Sequence, residues 1–273
     1  MNRLFKWELY KLVRHKAFII CSVIVLAMNV FSLAAIKIMA LILTENDFPE
    51  INFIIPVSGA SAIFMTLGSS FSTIAGVFVA IFVCSDYEQE TIKNVYSRGF
   101  SRSAVFFSKY VAAVVGTFCM YILAAILNFA LGCLLFGFKG FAAEGSAAEF
   151  ILRLITQILL VWAYTSLAFM FAILFKKIGA SIALIIIAPM VISVIIMVVS
   201  AFFTSPETGA TTLDLSVYWL DGILTNSSNG ISAGIDGSIR VATIDNLRNI
   251  LITIGYAALF TALGFLANSK SDK

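Results

Sequence analysis

Six apolar runs, each close to the length of a bilayer-crossing helix, constrain this chain more than anything else in it. A helix rising 1.5 Å per residue needs about 20 residues to cross roughly 30 Å of hydrocarbon. Residues 17–43, 56–84, 110–138, 154–175, 178–203 and 250–267 supply such runs. The chain is 60% hydrophobic and 12% charged, against roughly 45–50% and 25% in a soluble domain. A water-soluble core of 273 residues could not hide that much apolar surface, so the bilayer serves as solvent. No segment alternates apolar and polar as a barrel strand does. The expected fold is an all-α integral membrane protein of six transmembrane helices, a single domain over residues 1–273.

Orientation follows the placement of Lys and Arg rather than the net charge of +3. Thirteen of them fall on the side of the N-terminus, in the first sixteen residues, in 85–109, at Lys176 and Lys177, and after the sixth run. Five fall opposite, counting Lys37 as snorkelling outward from the first span. Both termini are therefore expected in the cytoplasm. The rival reading of the first run as a cleavable signal peptide has to explain why apolar sequence resumes after Lys37. On a helical projection Leu4, Phe5, Leu9, Leu12 and Val13 share one half, and Arg3, Lys6, Lys11 and Arg14 the other. Residues 1–16 thus read as an interfacial helix whose basic face suits anionic membrane lipid. Residues 204–249 form a long external loop whose apolar stretch 217–224 predicts a short interfacial or re-entrant helix packed on protein.

The chemistry-bearing motifs are missing. There is no GxxxxGK[ST] phosphate loop, no HExxH and no GxSxG, and His15 is the single histidine. A nucleophile, base or ligand set cannot be assembled from these residues, so no catalytic site, metal site or cofactor of the chain's own is expected, and no nucleic-acid partner. The six runs contain one charged residue, Lys37, with Asn29, Asn128 and Gln157 as the other strongly polar groups, whose commoner use is hydrogen bonding between helices. The second run carries a stripe of small or flexible residues, Ser61, Met65, Gly68, Ser72 and Gly76, which predicts tight packing within the chain, a close interface between subunits or a substrate path. Phe64, Phe71, Phe78 and Phe82 form a separate arc, expected to tolerate change. Pro189 interrupts the hydrogen bonding of the fifth run and predicts a kink there.

Residues 86–110, DYEQETIKNVYSRGFSRSAVFFSKY, and the start WELYKLVRHKAF resemble the cytoplasmic loop and N-terminal helix of type-2 ATP-binding-cassette (ABC) transporter permeases. With the six-span order, the likeness covers essentially the whole chain. It implies that residues 85–109 are a coupling loop, that Asp86 to Ser97 is a coupling helix, and that a turn follows at Gly99. Tyr87, Glu88, Glu90, Ile92, Lys93, Val95 and Tyr96 would contact a groove of a separate ATPase subunit, which would bind ATP and Mg. Ile92, Val95 and Tyr96 also form an i, i+3, i+4 apolar patch by spacing alone. Relatives often have Gly before Thr-Ile where this chain has Glu90. The resemblance further implies a second permease chain, identical or paralogous, in a bacterial plasma membrane, and export of an amphipathic or hydrophobic peptide, lipid or drug. A non-transporting scaffold or signalling subunit that binds an ATPase or sensor is the alternative.

Overall fold

A computed structural model describes residues 2–45, 61–68, 71–97, 99–137, 146–202, 215–228, 231–233, 239–241 and 246–270. Within them six helices are long and apolar enough to cross a membrane. The protein is a multi-pass membrane protein, and its spanning part is all helical. An amphipathic helix, α1 (Asn2–Arg14), stops one residue short of the first long helix, α2 (Lys16–Glu45). A 3-10 turn at Ser61–Phe64 and a single turn, α3 (Met65–Gly68), precede α4 (Phe71–Glu88). Of the run predicted over 56–84, residues 56–60, 69 and 70 lie outside the described residues, and the rest is helical. A short helix, α5 (Thr91–Ser97), leads to α6 (Arg102–Phe136). Then come α7 (Ser146–Phe175) and α8 (Ile178–Phe202), joined by a turn in which Lys176 takes φ +53°. Residues beyond Phe202 include α9 (Leu220–Ser228) and an antiparallel pair, β1 (Ile231–Ala233) with β2 (Ile239–Val241), before α10 (Asn246–Lys270).

Two helices begin earlier than the apolar runs, because charged residues just ahead of those runs find partners instead of marking loops. In α6, Lys109 is buried among carboxylates, and in α7 the fully buried Arg153 donates to the Ser227 carbonyl at 3.4 Å while Glu149 accepts from Asn246. Both ends of the chain meet at one end of the bundle: Leu4 of α1 clusters with Val105, and Phe265 of α10 lies 5.5 Å from Phe106.

The core lies between α4, α6 and α7, and α4 faces it with its aromatic arc. Phe64, Phe71, Phe78 and Phe82 are all buried, with Phe71 5.8 Å from Tyr121 and Phe78 5.7 Å from Phe18. The arc expected to tolerate change is therefore the packed one; large rings fill the interhelical space that small residues leave open. The amides act as the sequence predicts. Asn128 donates to Asn29 at 2.7 Å and to Thr66 at 2.8 Å, and Gln157 accepts from Tyr121 at 2.9 Å while donating to the Phe64 carbonyl at 3.0 Å. Lys37 donates to the Leu135 carbonyl at 2.9 Å, near the negative end of the α6 dipole.

Candidate functional site

Two places gather side chains whose burial or charge needs explaining. The first is the end of the bundle where α1, α4, α5 and α6 meet. Leu4 and Leu12, eight residues apart on one face of α1, seat it on α6: Leu4 joins the cluster of Val105, and Leu12 fits where Gly116 has no side chain. A Cβ at Gly116 would stand 2.8 Å from Leu12 Cδ1 and 2.9 Å from Phe78 Cε1. Between Leu4 and Leu12 on the same face sits Glu8, whose carboxylate is 3.4 Å from Lys109 Nζ. Asp86 pairs with both Lys109 and Lys11, and Thr91 Oγ1 donates to it at 3.3 Å. Glu8 is 1% exposed, Lys109 2% and Asp86 5%. Two acids and two bases thus lock three helices together. Because α1 meets α6 at three successive levels, at Val105, Lys109 and Gly116, it lies along that helix. The expected interfacial helix is docked against the bundle by its apolar face. Trp7, Tyr10 and Val13 are exposed on it, with the Arg14 guanidinium 4.8 Å from the Tyr10 ring.

The break after α1 is at His15, whose ring lies 5.8 Å from that of Phe82. Burial, then the neighbouring Lys11 charge, hold its imidazole below its ordinary value, so it is neutral at neutral pH.

The segment expected to form one coupling helix from Asp86 to Ser97 is two helices with a sharp joint. α4 continues through Glu88, and Glu90 takes φ +53° before α5 starts. That backbone suits glycine, which accounts for the residue favoured in the resembling loops. Replacing Glu90 with glycine removes a left-handed penalty of about 1–2 kcal/mol, partly offset by the entropy of glycine in the unfolded chain. Glu90→Gly is expected to raise the unfolding temperature slightly and Glu90→Ala to leave it unchanged, as differential scanning fluorimetry in detergent would show. The turn at Gly99 is present, with φ +81°, and Ser101 caps α6 by accepting from the Ala104 amide.

The apolar patch on this loop packs on the chain's own helices. Ile92 is 8% exposed and clusters with Leu4 and Val105, while Tyr87, Val95 and Tyr96 pack around them. The patch seats α5 on its own chain, because α1 and α6 offer apolar side chains at the same level. Glu88 is exposed but accepts from the Ile178 amide at 2.7 Å, capping α8 and tying the loop to it. Lys176 lies 5.4 Å from the Tyr87 ring on the same seam. Outward-facing residues of the segment are Glu88, Gln89, Glu90 and Ser97; the Lys93 side chain lies outside those described.

The second place is where α4 and α7 meet α8, and here the stripe of the second span divides. Ser72 and Pro189 line one cavity of about 220 Å³. Gly76, one turn along, is buried against α8: a Cβ there would stand 2.5 Å from Ile185 Cγ2 and 3.7 Å from Ala168 Cβ. Pro189 sits within a continuous α8 and deprives the Ile185 carbonyl of its helical partner. Met65 packs elsewhere, with Leu33 and Ala62. What surrounds the Ser61 side chain and Gly68 lies outside what is described. So the close approach at Gly76 is within the chain, while Ser72 and Pro189 face space.

Sequence reasoning missed Asp221. It lies in the stretch 217–224, where a packed helix was predicted and α9 is found with Trp219, Leu220 and Ile223 buried. Its carboxylate accepts from Tyr164 of α7, from Ser193 of α8 at 2.7 Å and from the Trp219 indole at 3.2 Å. It lines the 220 Å³ cavity and a second of about 310 Å³. A lone acid inside an apolar stretch was the available signal, as was Glu8 between two core leucines.

A family model described as a protein of unknown function (DUF2705) matches residues 24–273. No curated protein matches the chain.

Proposed function

The chain belongs to the DUF2705 family, whose description gives no activity, and we propose from its own residues that it is the permease subunit of an ATP-driven ABC exporter. In this reading both termini face the cytoplasm of a bacterial cell, across its plasma membrane. A separate ATPase subunit binds ATP and Mg and docks on residues 86–99, and a second permease chain completes the pore. The cargo is amphipathic or hydrophobic. One observation carries it: the short helix α5 is fixed to the chain by its apolar face and by the Asp86 cluster, while Glu88, Gln89 and Glu90 stand outward at the end of the bundle bearing most Lys and Arg. A docked partner that pushed on this rigid corner would move α1, α4 and α6 through the ion cluster, and α8 through the Glu88 cap.

Tagged chain purified from its native membrane is expected to bring down an ATPase subunit. The double variant Gln89→Lys, Glu90→Lys should reduce that capture tenfold or more, about 1.4 kcal/mol, because changing charge at an exposed rim weakens a partner's docking. Val95→Asp would not discriminate, since Val95 also packs on the chain's own cluster. Capture of no ATPase, or full capture by the double variant, overturns this docking surface. Nucleotide-dependent assembly without any substrate-stimulated hydrolysis would place the chain among non-transporting scaffolds.

A further inference from the structure

Asp221 is a half-buried acid set between the apolar helices α7 and α8. Ser193, which donates to it, is fifteen residues past Ile178 and nine before Phe202, or about 22 Å and 14 Å along the helix. Tyr164 is eleven residues before the end of α7, about 17 Å. A hydrocarbon layer about 30 Å thick centred on α8 would contain both hydroxyls and the carboxylate between them. An ionised carboxylate at such depth is costly unless neutralised. Its three donors, the Tyr164 and Ser193 hydroxyls and the Trp219 indole, are all neutral. Among the described residues no Lys, Arg or His pairs with it; the ion pairs lie at Glu8, Lys11, Asp86 and Lys109. A carboxylate has about four lone-pair positions, so one remains.

The space around the group is divided by it. On one side lies the 220 Å³ cavity, walled by Leu167, Ala168, Ile185 and Met190 and edged by Ser72 and Thr73. On the other lies the 310 Å³ cavity beside Ile196, Val217 and Trp219. A carboxylate held by three fixed neutral donors, with apolar side chains on both sides and no cation beside it among the described residues, is complementary to an amphipathic cation. We propose that Asp221 and its two cavities form a binding site for an amphipathic ligand with one protonated amine, the ammonium on the carboxylate and the apolar part along α7 and α8. As a substrate site it rests on the permease reading; as a binding site it does not.

The test uses the full chain, without ATPase, in nanodiscs of zwitterionic lipid. It is labelled with 5-fluorotryptophan, and the Trp219 resonance is identified by its loss in Trp219→Phe. Titration with decylammonium is expected to shift that resonance saturably, at concentrations about tenfold to a hundredfold lower than decanol or decyl sulfate. Asp221→Asn should abolish the preference for the amine and leave the weak response to decanol. Asp221→Glu should retain the preference, and serves where the asparagine variant does not fold. Equal responses to amine and alcohol in the wild-type chain, or undiminished amine preference in Asp221→Asn, overturn the site. Loss of the site with ATPase capture intact leaves the permease reading standing, and saturable amine binding without an ATPase partner does the reverse.

Discussion

Replacing Asp86 with alanine is expected to cost the fold about 3–5 kcal/mol, the range for removing one partner of a buried ion pair. The size of the effect follows from what remains. Lys109, 2% exposed, and Lys11 would be left facing each other with Glu8 as the single counter-charge, 3.4 Å from Lys109. Exposed ion pairs give about 0–1 kcal/mol, so the measurement separates a buried cluster from a surface one. Lys109→Met should cost a similar amount, because it strands Glu8 and leaves Asp86 with Lys11 alone. The triple variant Glu8→Gln, Asp86→Leu, Lys109→Met should recover much of the loss, since it removes every buried charge of the cluster and leaves Lys11, whose side chain is 21% exposed. The observable is equilibrium unfolding in a mild detergent, with a cysteine at Val13 to report detachment of α1. A loss below about 1 kcal/mol for both single changes would mean that water screens this cluster.

The cluster also marks how far the sequence could be read. Six spans were legible because length and hydropathy alone decide what can cross hydrocarbon, and the amides at positions 29, 128 and 157 were legible because a polar group in a span has few alternatives to a neighbouring helix. Charge near a span's end was ambiguous. Lys109 reads equally well as the last residue of a loop or as a residue buried by Asp86 and Glu8, and those partners are 23 and about a hundred positions away in sequence. The same ambiguity hid the true starts of α6 and α7. The 86–99 loop shows the converse. Its i, i+3, i+4 patch was visible, but periodicity says that a face is apolar and not what covers it; Leu4 and Val105 cover it. Glu90 gave a departure from a resembling pattern, and the backbone angle shows that the departure costs strain. The stripe of the second span marked a close approach, found at Gly76, without saying to which helix, and the aromatic arc misled because large rings in a span suit lipid and core alike.

Gly76→Leu is the change expected to do most damage within the membrane, and its cause is confined to one contact. A Cβ at residue 76 would stand 2.5 Å from Ile185 Cγ2, closer than any carbon pair tolerates. That methyl belongs to a β-branched side chain with one strongly preferred rotamer in a helix, so it cannot simply swing away. Even Gly76→Ala should cost about 1–3 kcal/mol through overpacking, and leucine should separate α4 from α8. Gly255 in α10 has nothing within 4 Å of its would-be Cβ. There, alanine is expected to be neutral or to stabilise by up to about 1 kcal/mol, the ordinary helix preference. The opposite signs at two helical glycines test the geometry directly by thermal unfolding. Pairing Gly76→Ala with Ile185→Ala should return most of the stability, giving a coupling energy of at least about 1 kcal/mol in a double-mutant cycle. This rescue also decides which interface the small stripe serves. If the close contact were between two copies of the chain, Ile185→Ala could not relieve Gly76→Ala, and the first loss would be of the oligomer on size-exclusion chromatography. With the contact inside one chain, the variant loses α4–α8 packing first. Pro189 lies four residues beyond Ile185 and leaves that carbonyl without its helical partner, so the turn that must yield to a side chain at position 76 is already the weakest in α8.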